Sequence, residues 1–519
     1  MGYLYNKVYE VDKPTSSILL NKSAVLETER AWLVHMQDTN QIREWVYSKR
    51  KDIIRDIGRI VNIRSVSEKE ELHNIHTPFG QGCHDVLDEM LTIGKEHGFQ
   101  TENYDYYCGR IYYEKRKTIE NSIAIWGHLD VVPEGDEWEY TPYEMVEEDD
   151  YLIGRGVQDN KGPTIGALYV LLYLKECGIT MKTPISLMVG CSEETGMQDL
   201  DYYIKNYNEP SLSIVADCGF PVCYGENGIL NIELQTYLDN KDILSFHAGS
   251  TSNSIPEAAT IVLKRSLITG RIKKQLEASK SLLIEEEMDQ VKLTAKGKAA
   301  HVCMVHDSKN AIGILVKELL RLGIFPKEEK VLKGIELLSK DAYGIAANLW
   351  DRNYSLGQLT GGATMVRYEN SLLTVSIDYR YPILKDGIKS DGKELVESLE
   401  ELSKEAGFTF HTIKHLVPSY LPVNKPLIQE LTNVFQEVSG FDSKPYTMGG
   451  ATYTRKLKNA IGYGMALPNK HILRRKQGHG DFHQPDESIH IEELMEGIVI
   501  YIKAFLKLND LELNDLLLN

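Results

Sequence analysis

Apolar residues recur at helical spacing between positions 42 and 61, in Ile42, Trp45, Val46, Ile53, Ile54, Ile57 and Ile60, and again in Val86, Leu87, Met90 and Leu91. These segments read as amphipathic helices on the outside of a layered domain. Between and after them lie three brief apolar runs, 122–126 (SIAIW), 185–189 (ISLMV) and 212–216 (LSIVA), with a helical stretch over 164–177. Strands alternating with helices predict an α/β domain, a sheet with helices on its faces. Beyond about residue 230 the texture changes. A helix over 311–322 and an alternating strand over 372–379 mark a segment with few clustered acids or histidines, which reads as a separate α+β domain. The last hundred residues restore a glycine-rich loop at 449–453, then His479, Asp481 and His483, and a terminal helix over 491–506.

The chain has 519 residues, too many for one hydrophobic core, so at roughly 100–200 residues per domain two to four domains are expected. A net charge of −17 repels phosphate backbones and anionic lipid, which argues against nucleic acid and membrane surfaces as partners. The seven cysteines are scattered and form no C-x-x-C pair, which fits a reducing compartment. The first twenty residues lack the basic start and apolar stretch of a signal peptide, and no run approaches a membrane span. The expected location is the cytoplasm.

Polarity is most informative where the short apolar runs stop. After SIAIW come Gly127, His128, Leu129 and Asp130; after ISLMV come Gly190, Cys191, Ser192, Glu193 and Glu194; after LSIVA comes Asp217. Ligands of open α/β sheets bind beyond the carboxyl ends of the strands, and three strand ends here each deliver a histidine or a carboxylate. Asp159 joins them from the glycine-rich loop 154–162, just before the helix. His128, Asp159, Glu194, Asp217 and His483 are far apart in sequence, so only the fold can gather them. Imidazole and carboxylate suit Zn²⁺, Mn²⁺ or Co²⁺, and a shared aspartate is a common way to build a two-metal hydrolytic site. Asp130, two residues past His128, is placed to accept from the second imidazole nitrogen. Glu193 adjoins Glu194 without needing to be a ligand, which suits it to move a proton.

These residues also resemble a family. Gly127-His128-Leu129-Asp130-Val131-Val132-Pro133, the Gly154-Arg155-Gly156 loop with Asp159 and Lys161-Gly162-Pro163, Ser192-Glu193-Glu194-Thr195-Gly196 and His483-Gln484-Pro485-Asp486-Glu487 are similar to signature segments of the metallohydrolases that group ArgE, DapE, aminoacylase and carboxypeptidase G. The resemblance is closest to the carnosinase-like dipeptidase V type, which hydrolyses Xaa-His and other dipeptides. It implies a parallel-sheet, two-metal aminopeptidase-like catalytic domain interrupted by an inserted α+β lid. The expected organisation is an N-terminal extension of open role at 1–40, catalytic segments at 41–232 and 418–519, and a lid at 233–417 in which two related halves would fit.

By the same resemblance, one divalent ion falls to His128 and Asp217 and a second to Glu194 and His483, with Asp159 bridging; Zn²⁺ is the first choice, Mn²⁺ or Co²⁺ the alternatives. His483 rather than His479 is the implied ligand because it precedes Gln-Pro-Asp-Glu. Glu193 is the implied general base and Asp130 the partner of His128. From the lid, His301 in Gly297-Lys298-Ala299-Ala300-His301 and Asn253 in Asn253-Ser254-Ile255-Pro256-Glu257 match residues near the reacting oxygen. Arg380 matches an arginine that clamps the substrate's carboxylate, and Gly449 and Gly450 match a segment along its backbone. Asn160 departs from the acid often found after the bridging aspartate, with little effect expected. The reading is a dipeptidase for unblocked dipeptides, monomeric because a lid this long closes over its own site. N-acyl amino-acid deacylase or carboxypeptidase is the alternative on the same centre, and a non-catalytic peptide-binding protein the remaining one.

Overall fold

In the computed structural model residues 38–68, 76–113, 118–349, 354–468, 470–476, 478–512 and 517 are described, so the extension expected at 1–40 lies outside them up to residue 37. The continuous helical periodicity of 42–61 resolves into α1 (Thr39–Ser48) and α2 (Arg50–Val61), which part at Lys49. The Asp38 carboxylate caps α1 by accepting from the Asn40 and Gln41 amides. α3 (Gln81–Glu96) leads into β1 (Gln100–Tyr104) and β2 (Cys108–Tyr112), an antiparallel pair whose alternation is too weak to mark it in the sequence. Then follow β3 (Ile123–His128), α4 (Lys161–Glu176), β4 (Ile185–Gly190), α5 (Gln198–Asn206), β5 (Leu212–Val215) and β6 (Cys223–Glu226).

α4 is buried almost throughout because its sequence, KGPTIGALYVLLYLKE, is apolar on every side. It lies between the sheet and the C-terminal helix, and glycine admits the close approach: a β-carbon at Gly166 would sit 2.7 Å from the Met465 sulfur.

The chain then leaves this sheet and builds a second one from β7 (Gly228–Tyr237), β8 (Ile243–Ala248), β9 (Ala258–Lys264), β10 (Leu282–Glu286), β11 (Gln290–Lys296), β12 (Thr360–Glu369), β13 (Leu372–Tyr381) and β14 (Thr409–Leu416). Its order is β10-β11-β9-β8-β12-β13-β7-β14, antiparallel throughout, with the two sets of four strands joined only where 246–248 pair with 366–368. Helices Ala311–Leu322, Glu329–Ser339 and Lys393–Ala406 pack on it, around a hydrophobic core that shares no residue with the first. The strand expected at 372–379 runs to Tyr381, so Arg380 lies within it.

The return segment supplies a helix, Pro426–Ser439, then β15 (Ala460–Gly462) and the C-terminal helix Ile491–Leu508. β15 inserts between β5 and β6, giving the order β1-β2-β4-β3-β5-β15-β6, and the short strands Ser419–Tyr420 and Tyr446–Met448 add to β6. The central strands β4, β3, β5 and β15 are parallel, and the antiparallel pairs lie toward the edges. Among the described residues no helix is long and apolar enough to cross a membrane.

Candidate metal centre and lid contacts

The parallel strands end together, and their polar continuations converge. His128 closes β3, fully buried. Its Nε2 lies 3.0 Å from Asp159 Oδ1 and 3.7 Å from Asp217 Oδ2. The second oxygen of Asp159 lies 3.2 Å from His483 Nε2, which is 3.0 Å from Glu194 Oε1. One carboxylate therefore spans two imidazoles, each with a further carboxylate beside it. His479, the other histidine of the segment, is drawn away: its Nδ1 meets Asp486 at 2.6 Å in a buried pair.

The framework behind these groups is largely buried carboxylate on backbone amide. Asp130 accepts from the Glu193 and Glu194 amides, both at 3.1 Å, while its Oδ1 is 3.5 Å from His128 Nδ1. The closer acceptor for that nitrogen is the Asp130 backbone oxygen, at 3.0 Å. The side chain expected to steer the histidine thus also fixes the pair of glutamates. One step earlier in the loop, Asp199 Oδ2 accepts from the Cys191 and Ser192 amides at 2.7 and 2.8 Å and from the Tyr453 hydroxyl. A β-carbon at Gly190 would fall 2.2 Å from that same oxygen, so the strand must end in glycine. Glu487 accepts from the Gln158 and Asp159 amides through Oε1 and holds Arg155 at 2.8 Å through Oε2, both side chains buried.

Asn160 proves to be structural. Its amide nitrogen donates to the Ala216 carbonyl at 2.7 Å and to Asp217 Oδ1 at 3.2 Å, and its oxygen accepts from the His128 amide. A carboxylate there could not donate to Ala216. Tyr453, Glu487 and Asn160 act through partners distant in sequence and Asp199 through amides seven and eight residues back as well as Tyr453; of the four, Asp199 alone lies outside every segment that the sequence singles out.

Charge is crowded at this centre. Burial, and next the Asp159 carboxylate, push Asp217 up to about 8. Burial and Asp217 drive Glu193 well above the ordinary carboxylate range. Burial opposes a charge on His483, yet Glu194 and Asp159 raise its imidazole to about 11. Burial would raise Asp159 as well, but hydrogen bonds from both histidines hold it far below its usual value. Such a cluster accepts positive charge.

Two overlapping sets, His128 with Glu193 and Asp217 and His128 with Asp159 and Glu194, place their donor atoms within 4.8 Å of one another. Imidazole and carboxylate donors without cysteine fit a borderline divalent cation. Glu193 lies within ligand range too, but its Oε1 is buried without a hydrogen-bond partner, whereas Glu194 is bonded to His483.

The second unit reaches this centre through a two-stranded ladder of its own and through its large sheet. The short ladder of Ser254–Ile255 with Ala300–His301 sets Asn253 beside His301. His301 Nδ1 accepts from the Cys303 amide at 3.2 Å, so the neutral ring carries its proton on Nε2. Burial, then Arg380 and His483, hold His301 down to about 3, which keeps it neutral. Arg380 commits its Nε and Nη2 to Asp378 at 2.9 and 2.8 Å, and its Nη1 lies 3.4 Å from the Gly449 carbonyl. The bidentate fork expected to face substrate is therefore occupied from within the strand, leaving one edge. Gly449 also seats the lid: a β-carbon there would lie 3.0 Å from Cys303. Gly450 follows it in the same bend after strand Tyr446–Met448.

An open sheet whose strand ends gather histidines and acids, under a second unit that carries an arginine on its large sheet and a histidine on a separate two-stranded ladder, defines a hydrolase of two-part construction. The chain belongs to peptidase family M20/M25/M40, whose pattern matches residues 124–507 and whose members are metal-dependent. It is 28% identical over 488 residues to a Beta-Ala-Xaa dipeptidase of Lactobacillus delbrueckii subsp. lactis, covering 90% of this chain and 98% of that protein. The fold is shared with human carnosine dipeptidase 1 at a TM-score of 0.52 and 13% identity, over 91% of this chain and all of that one. It is shared too with the di-peptidase Dug1p of Saccharomyces cerevisiae, at 0.54 and 14%, over 92% and 99%.

Proposed function

We propose that this protein is a two-metal dipeptidase that cleaves unblocked dipeptides, Xaa-His among them. The observation that carries the reading is Asp159, with one oxygen on each of two histidines that bear their own carboxylates. His128 and Asp217 would hold one ion, His483 and Glu194 the other, and Asp159 both; Zn²⁺ is favoured, with Mn²⁺ and Co²⁺ compatible with the same donors. When bound, such ions polarise a carbonyl and make a water acidic enough to attack it. Glu193, with a free buried oxygen, takes the water's proton and passes it to the departing amine. His301 donates from Nε2 to the carbonyl oxygen as that oxygen gains charge, with Asn253 beside it. Arg380 meets the substrate's carboxylate with its remaining edge, and Gly449 and Gly450 line the substrate backbone.

The relative named as a Beta-Ala-Xaa dipeptidase supports a dipeptide substrate. Because His301 and Arg380 come from the chain's own lid, the site needs no second copy, which supports a monomer; the cysteines, free and mostly buried, suit the cytoplasm. The test is turnover of free dipeptides against N-acetyl amino acids by metal-stripped protein resupplied with each ion in turn. Dipeptide hydrolysis that returns with metal is expected. Turnover of N-acetyl amino acids alone would overturn the dipeptidase in favour of a deacylase, and full activity without metal would remove the two-ion centre.

A further inference from the structure

Three cations, Arg380, Arg455 and Lys414, gather at the end of β14: Lys414 stands in one cross-strand row with Asp378, which holds Arg380, and Arg455 reaches the Val417 carbonyl just past the strand. Two are committed. Arg380 is held by Asp378 and touches the Gly449 carbonyl. Arg455 pairs with buried Glu226 at 3.2 Å and donates to the Asn227 and Val417 carbonyls. Lys414 forms no ion pair or hydrogen bond with any described residue, and solvent reaches it. A cation left free among carboxylates and guanidiniums, in a chain of net charge −17, is open to an anion from outside.

Its position is built by a local irregularity. β14 pairs with β7 in regular register from Thr409 opposite Gln235 to Thr412 opposite Ile232, and then slips, so that Lys414 rather than Ile413 faces Asn231. Ile413 is the extra residue, 65% exposed. Without the bulge Lys414 would stand opposite Leu230, a residue of the lid's hydrophobic core. The bulge turns it to the other face of the sheet, where such irregularities commonly re-aim a side chain next to an active site. There Lys414, Asn231 and Asp378 form one row across three strands, and Arg380 follows Asp378 on the same face two residues on. The Asn231 side chain bonds Asp378, which in turn grips Arg380.

We propose that Lys414 is a second carboxylate-binding cation of this enzyme, receiving the free C-terminal carboxylate of a dipeptide together with the open edge of Arg380. The inference rests on the dipeptidase reading. Asp378 fixes Arg380 but offsets its charge, so a substrate carboxylate held by that arginine alone would meet little net positive potential. Lys414 restores it. Partial desolvation and the charge of Arg380 lower its ammonium from the usual lysine value, while Glu193 works in the opposite direction. An arriving carboxylate would favour the charged form further.

The experiment compares a free dipeptide with its C-terminal amide in wild type, Lys414→Gln and Lys414→Arg. Lys414→Gln should raise KM for the free dipeptide about 10- to 100-fold, the scale of one charge-assisted hydrogen bond, and should leave KM for the amide within about twofold. Lys414→Arg should recover most of the loss. An unchanged KM for the free dipeptide, or an equal rise for the amide, would overturn the assignment of Lys414 while leaving the dipeptidase standing. Wild-type protein that cleaves neither compound would overturn the dipeptidase and this inference with it.

Discussion

At the scale of single residues, the centre sets a bonded carboxylate beside an unbonded one. Glu194 is bonded to His483, and Glu193, its neighbour in sequence, has a buried oxygen with no partner. Glu193→Gln keeps the size of the side chain and removes only the oxygen proposed to accept the proton. It should lower kcat by several orders of magnitude and leave metal content, measured by atomic absorption, at the wild-type level; loss of an ion would make Glu193 a ligand instead. His301→Ala should lower kcat by on the order of 10²–10³, the scale of one lost oxyanion donor, without changing bound metal. Because His301 is held down to about 3, its contribution as a neutral donor should stay constant from about pH 5 to 9. A kcat profile in which the ratio of wild type to His301→Ala fell sharply near pH 6.5 would show instead that the ring titrates in the working range.

At the scale of elements, the site is held by loops whose amides are occupied in order. Cys191 and Ser192 donate to Asp199, Glu193 and Glu194 to Asp130, and Gln158 and Asp159 to Glu487. Asp199→Asn sets an NH₂ group against amides that already donate, so it should cost about 1–3 kcal/mol in chemical denaturation and lower kcat through Glu193. The strand ends that deliver His128, Glu194 and Asp217 were legible in the sequence, since a short apolar run followed by an acid or histidine is a local pattern. The amide acceptors were not, because Asp199 and Glu487 acquire their role from chain segments brought together by β4 and by the loop before α4. Nor was the bulge that turns Lys414, which exists only as a register between two strands. Away from the site, Asp56 on α2 accepts from His97 at 2.7 Å, the Tyr169 hydroxyl at 2.9 Å and Arg55 at 3.0 Å. Burial alone would raise its carboxyl, but these partners hold it below the ordinary aspartate value. A folded-state value below the unfolded one means that the stabilisation is complete above about pH 4 and is lost as pH falls through the folded-state value. Asp56→Asn should therefore cost about 1–3 kcal/mol at pH 7, with the gap to wild type narrowing in denaturation as pH is taken below about 4.

At the scale of the whole molecule, two hydrophobic cores with no common residue meet at a polar cleft. Contacts that join them include Arg380 on the Gly449 carbonyl, Cys303 against Gly449 and Arg455 on the Val417 carbonyl, all outside either core. The acids of the centre account for only part of the net charge of −17, and the rest is solvated surface screened within a Debye length. Divalent ions should therefore act on one core and not the other. An ion that binds only the folded state at a hundredfold excess over its Kd stabilises by about 2.7 kcal/mol. At an unfolding entropy of about 2.1 cal/mol/K per residue, a catalytic unit of roughly 300 residues shifts by about 1.6 °C per kcal/mol, so removing both proposed ions should lower its transition by on the order of 10 °C. Calorimetry with and without a chelator should then resolve two transitions, with the lid's unmoved. A single transition that shifts as a whole would mean that the cleft contacts couple the two cores into one cooperative unit, and that the lid is no independent unit.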